Sequence, residues 1–134
     1  MNWRLIFLLS LFGLIMAFAT VYFIPTNVEP WCWLAIFIFC AYMIAKNAPG
    51  KFFLHGFLVC LVNCVWITAA HVILFQTYWA NHPEMANMSS SMAHPRRMML
   101  FIGPVTGIAS GLVLGLFSFI AAKIVKRPGT NATA

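Results

Sequence analysis

Four stretches of the chain, at residues 5–24, 31–45, 52–75 and 98–122, contain no aspartate, glutamate, lysine or arginine. Crossing a hydrocarbon core of about 30 Å takes about 20 helical residues, so the first, third and fourth are long enough as they stand. The second extends to 30–46: Pro30 suits a first helical position, where its missing N–H costs nothing. Lys46 can snorkel from the other end. Backbone groups in lipid must bond internally, which makes these segments helices, and none shows the alternation of a membrane barrel. The expected fold is an all-α integral membrane protein, a four-transmembrane-helix bundle. Its domain covers residues 1–126, with an outer loop at 76–97 and a flexible tail at 127–134.

Composition excludes the competing classes. Of 134 residues, 63% are hydrophobic and 7% charged, against about 25% charged in a soluble domain. Such a chain cannot cover a soluble enzyme's surface, form a disordered tail or serve as a nucleic-acid module. The net charge of +6 reflects scarce acids, Glu29 and Glu84 alone, rather than a basic groove. The expected partner is the lipid bilayer, with no nucleic acid.

The first segment resembles a secretory signal, with Arg4 ahead of the apolar run and Ala17-Phe18-Ala19 as a small-residue site. The run continues through Val21, Tyr22, Phe23 and Ile24, however, and a span that long reads as a retained anchor. Basic residues in short loops set orientation. Four crossings put Arg4, Lys46, Lys51, Lys123, Lys126 and Arg127 on one side, and Arg96, Arg97 and both acids on the other. Both termini are then cytoplasmic, in a multi-pass protein of a bacterial inner (plasma) membrane. The short connections 25–30 and 46–51 make consecutive helices antiparallel neighbours.

The fourth span carries Gly103, Gly107, Gly111 and Gly115, each four residues apart and therefore on one face. Such a glycine zipper lets helix backbones approach closely in lipid. Its partner is either another subunit, giving a homo-oligomer, or the first helix, whose Ser10, Gly13, Ala17 and Thr20 form a weaker small-residue stripe. On the third span, Gly56, Cys60, Asn63, Cys64, Ile67 and His71 fall within an arc of about 100°, with Thr68 at its edge. Polar groups facing lipid are expensive, so this face points inward. Cys60, Asn63, Cys64, Thr68 and His71 are a candidate polar pocket, or else an interhelical hydrogen-bond stripe. His55 lies on the opposite face as an interfacial residue.

In the outer loop, His82, Met85, Met88, Met92 and His94 are a candidate metal site, because methionine and histidine are ligands copper accepts. A short helix would align the three methionines; the same spacing also serves an apolar face on the membrane or a bundle cap. Asn87-Met88-Ser89 is a glycosylation sequon, relevant only on a eukaryotic secretory route. The cysteines, Cys32, Cys40, Cys60 and Cys64, form no Cys-x-x-Cys pair and read as small hydrophobes. No cofactor is expected, since a b-type haem needs histidines on facing helices. The acids lie outside the spans, unlike the intramembrane carboxylates of cation-coupled exporters. With no nucleophile–base pair visible, the chain reads as no enzyme and has no catalytic residues. The leading expectation is an accessory or scaffold membrane protein working through helix packing, as a homo-oligomer or with a larger membrane partner. The alternative is a small-solute or metal-ion transporter or channel that uses the third helix and the His/Met-rich loop.

Overall fold

Asn2 starts the first helix: its side chain accepts the Leu5 N–H at 3.1 Å, satisfying one of the donors a helix leaves open at its start. The computed structural model describes residues 1–125; Lys126, Arg127 and the rest of the expected tail at 127–134 lie outside the described residues. Six helices follow in order, α1 Trp3–Tyr22, α2 Glu29–Asn47, α3 Phe52–Ile73, α4 Phe75–Asn81, α5 Pro83–Met88 and α6 Pro95–Ile124. Among the described residues there is no strand. α1, α2, α3 and α6 are each long and apolar enough to cross a membrane.

Local chemistry explains the boundaries. Pro25 follows the end of α1 and Pro30 sits in the first turn of α2, where it needs no acceptor for a missing donor. Lys51 adopts a left-handed conformation, φ 50° and ψ 48°, and turns the chain into α3. Expected ends move by one to three residues, α1 covering Trp3–Tyr22 rather than 5–24 and α2 Glu29–Asn47 rather than 30–46. α3 stops at Ile73 rather than 75, because the backbone breaks at Leu74 (φ −95°, ψ 27°) and restarts as α4. The fourth span begins at Pro95 rather than 98, with His94 just before it, and reaches Ile124. At 30 residues it is about 45 Å long, more than a hydrocarbon core requires. The loop expected at 76–97 is therefore largely helical.

α3 is the hub. It packs on α6 along one side and on α1 along another, while α2 lies mainly against α6. All four long helices meet near the α2–α3 turn, where Leu5, Ile6 and Leu9 of α1, Cys40, Ala41 and Ile44 of α2, Val59 and Cys60 of α3 and Leu114 of α6 form one buried cluster. The opposite end, the cap end, is covered differently, by α4 folding over α1 and α3 and by α5 packing on α4. Chain direction sorts the charges between these ends. Arg4, Lys46, Lys51 and Lys123 lie at the turn end, and Arg96, Arg97, Glu29 and Glu84 at the cap end. Lys46 and Lys123 lie over the rings of Tyr42 and Phe119, at 5.9 and 4.6 Å from the centroids.

Candidate functional site

The four glycines of α6 lie against α3. A Cβ added at Gly107 would stand 2.6 Å from the Cβ of Cys64, one at Gly111 2.8 Å from the Phe57 ring, and one at Gly115 2.9 Å from the Phe53 backbone carbonyl. Side chains do not approach so closely, so only glycine permits this backbone separation. Gly103 meets Thr68 in the same way. The facing residues Phe53, Phe57, Cys64 and Thr68 are themselves at helical spacing, and the two stripes run antiparallel. Gly56 of α3 reciprocates: a Cβ there would lie 2.6 Å from Ser118 Oγ and 2.7 Å from the Leu114 carbonyl. Within the chain these glycines meet α3 and not the first helix. A glycine has no side chain to name its partner, and the information sits in α3.

Polar atoms on this side have partners. Cys64 Sγ donates to the Gly103 carbonyl at 2.9 Å and lies 3.8 Å from Thr68 Oγ1. Ser118 Oγ donates to the Leu114 carbonyl of its own helix at 2.8 Å.

The α1 side uses small residues too, but against larger polar ones. Asn63 lies over Gly13, where any Cβ would collide with its carboxamide. Trp66 Nε1 donates to Ser10 Oγ at 3.4 Å. Thr20 Oγ1 donates to the Ala17 carbonyl at 3.1 Å and so accepts from His71 Nε2, 3.2 Å away. Asn63 is 3% exposed, and neither its oxygen nor its nitrogen has a hydrogen-bond partner among the described residues. The five residues expected to form one pocket or one interhelical hydrogen-bond stripe are thus divided between two neighbours and the core. Cys64 and Thr68 face α6, Asn63 and His71 face α1, and Cys60 belongs to the buried cluster.

His55, expected at the interface, is 1% exposed. Its Nε2 accepts the Asn2 backbone N–H at 3.1 Å and its Nδ1 lies 3.0 Å from the Lys51 carbonyl. This pattern is that of a neutral ring protonated on Nδ1, and it ties the start of α1 to the first turn of α3.

At the cap end the rings stack. His71 lies on Tyr78 with centroids 4.4 Å apart, and Tyr78 on His82, also at 4.4 Å. Residues 71, 78 and 82 are spaced seven and four apart, a helical stripe legible in the sequence once α4 is read as continuing α3. Burial raises the Tyr78 phenol above its ordinary pKa, and the nearby carboxylates of Glu29 and Glu84 add to the rise. His82 is 2% exposed; Nδ1 lies 3.0 Å from the Tyr78 carbonyl, and Nε2 has no partner. Asn81 Nδ2 donates to the Val21 carbonyl at 2.7 Å. Thr26 Oγ1 donates to Glu84 Oε1 at 2.6 Å, and this bond foremost holds the Glu84 carboxyl below its usual pKa. Beside these groups opens a shallow cavity of about 330 Å³, lined by Thr20, Tyr22, Phe23, Ile24, Pro25, Asn81 and His82.

Of the candidate metal residues, His82 precedes α5, Met85 and Met88 lie within it, and Met92 and His94 fall between α5 and α6. α5 ends at Met88, where the Ser89 hydroxyl turns back to the Met85 carbonyl at 2.5 Å, so Met92 falls outside the helix expected to align it. Met88 is 75% exposed, and His94 is exposed just before α6. Among the described residues no three His, Cys, Asp or Glu side chains are grouped as metal ligands. All four cysteines are free. Compared with known proteins, the chain matches no family model, no curated protein and no solved structure.

Proposed function

We propose that this is a polytopic membrane protein that acts as an accessory or scaffold through helix packing, without a catalytic centre. The observation that carries this reading is the inward use of α3, whose polar side chains meet the small-residue stripes of α6 and α1. The outward surface is apolar: Val105, Ile108 and Leu112 of α6 and Leu34 and Ile38 of α2 are all exposed. Apolar helix faces of this kind meet lipid or another apolar helix, and association there rests on close packing. The working form is a homo-oligomer or a complex with a larger membrane partner. The orientation that fits the positive-inside bias puts the turn end and both termini in the cytoplasm of a bacterial inner membrane.

Photo-crosslinking residues placed at Ile38, Ile108 and Leu112 in intact membranes test the reading. Discrete protein adducts are expected at one or more positions, and lipid adducts alone at all three would overturn it. Labelling with a membrane-impermeant thiol reagent tests orientation. In a background lacking the native cysteines, a cysteine replacing Ser90 should react from outside and one replacing Asn47 only after the membrane is opened. Reaction of both from one side would remove the four-crossing topology.

A second reading, transport of a small solute or metal ion, is favoured by one observation: the unpartnered Asn63 carboxamide between α1 and α3. A polar group buried in a span is costly, and one without a structural partner is a candidate member of a pathway. Proteoliposomes containing the protein would then pass a solute or ion that liposomes with Asn63→Leu do not.

A further inference from the structure

Several hydrogen-bond acceptors meet at the cap-end cavity. The last turn of α1 lines it, and among the described residues no donor reaches the carbonyls of Thr20 and Tyr22. Carbonyls at a helix C-terminus carry the negative end of the helix dipole. His82, also in the lining, holds a buried Nε2 without a donor, since Nδ1 is turned to the Tyr78 carbonyl. Asn81 has given its amide N–H to the Val21 carbonyl, which leaves its oxygen as acceptor. Glu84 is held beside the rim through Thr26, next in sequence to the lining residue Pro25. Among the described residues no lysine or arginine lines the space. A buried acceptor without a donor is costly, and a group that supplies both N–H donors and positive charge relieves every element of this arrangement at once.

We propose that this cavity binds a primary ammonium group, His82 Nε2 and the α1 carbonyls accepting its N–H bonds and Glu84 supplying the opposing charge. Two sources offer that chemistry, an ethanolamine lipid headgroup and a free alkylamine. The requirement for N–H donors separates both from a quaternary ammonium and from a bare alkali cation.

The test follows thermal protection of the full chain. In detergent, ethanolamine, choline and potassium chloride are titrated at matched ionic strength. In parallel, the protein is placed in phosphatidylcholine vesicles with and without phosphatidylethanolamine. Protection by free ethanolamine but not by choline or potassium assigns a soluble amine. Protection by phosphatidylethanolamine alone assigns the lipid headgroup. Either outcome supports the site provided that His82→Phe, which keeps the ring stack but removes the acceptor, weakens the response about tenfold. Glu84→Gln, at an exposed position, should weaken it about threefold and guards against a folding defect in the first variant. Equal protection by choline or potassium, protection by none of the amines, or an undiminished response in Glu84→Gln would overturn the proposal.

Discussion

The two faces of α3 solve the same packing problem with different residues. Toward α6, glycines bring backbones together, and the thiol of Cys64 and the hydroxyl of Ser118 are each hydrogen-bonded. Toward α1, the small residues Ser10, Gly13, Ala17 and Thr20 accommodate Trp66, Asn63 and His71, and the Asn63 carboxamide is left with no partner. The first face has the character of a structural seam, since every feature is accounted for by packing. The second retains polar groups that packing alone does not require. Small residues in two membrane helices therefore do not imply one role; what lies opposite them decides it.

The largest effect should come from the α6 side. A Cβ at Gly111 already meets the Phe57 ring at 2.8 Å and its carbonyl at 3.2 Å, so Gly111→Leu must push α6 off α3. The expected cost is of the overpacking kind, about 1–3 kcal/mol, read as a lower melting temperature with unchanged particle size in mild detergent. A smaller particle would show that another subunit also uses the stripe. No change in size or melting would break the comparison, because the α6 face would then not be tightly packed.

Asn63→Leu should act in the opposite direction. Replacing an unpartnered buried amide with an apolar side chain of similar size removes a desolvation penalty, and a gain of about 1 kcal/mol is expected in thermal or denaturant unfolding. A loss of stability instead would mean that Asn63 has a bound partner, water or solute, and would move the α1 side toward the transport reading.

These two sites also show what the sequence could and could not convey. The four long helices are legible because charge-free runs of such length have few alternatives in water or lipid. The stripe Gly103, Gly107, Gly111 and Gly115 is legible as a face, but its partner is specified by Phe53, Phe57, Cys64 and Thr68, whose types are unremarkable in a membrane helix. Periodicity of 100° groups the polar residues of α3 by azimuth, as one pocket or one hydrogen-bond stripe. It cannot tell which neighbouring helix divides that arc, and here α6 takes Cys64 while α1 takes Asn63. The spacing of His71, Tyr78 and His82 continues the helical stripe across the break at Leu74, a continuity that a loop at 76–97 hides.

A smaller effect is expected at the bond between His71 and Thr20. His71→Phe keeps a ring against Tyr78 and removes only the hydrogen bond, which in membrane helices is worth about 0.6 kcal/mol. A fall of that size in unfolding free energy would confine His71 to packing. A much larger fall would place it among the groups the α1 side holds for another purpose.

The smallest effect concerns how the cap is fastened. The Thr26 hydrogen bond stabilises the ionised form of Glu84, so its folded pKa lies below the ordinary value of 4.5. A carboxyl shifted in this direction contributes stability that is complete above 4.5 and is lost as pH falls through the lower folded value. The fastening between the α1–α2 connection and α5 should therefore hold at neutral pH and loosen only in acid. Amide hydrogen exchange over residues 83–88, expressed as protection relative to intrinsic rates, should show protection falling below pH 4.5 while α3 and α6 stay unchanged. Thr26→Val removes the donor and should give weaker protection at neutral pH with a flatter acid response. If the variant loses protection along the same pH curve as the parent, the acid sensitivity belongs to another group at the cap end, and Thr26–Glu84 is not what holds α5 in place.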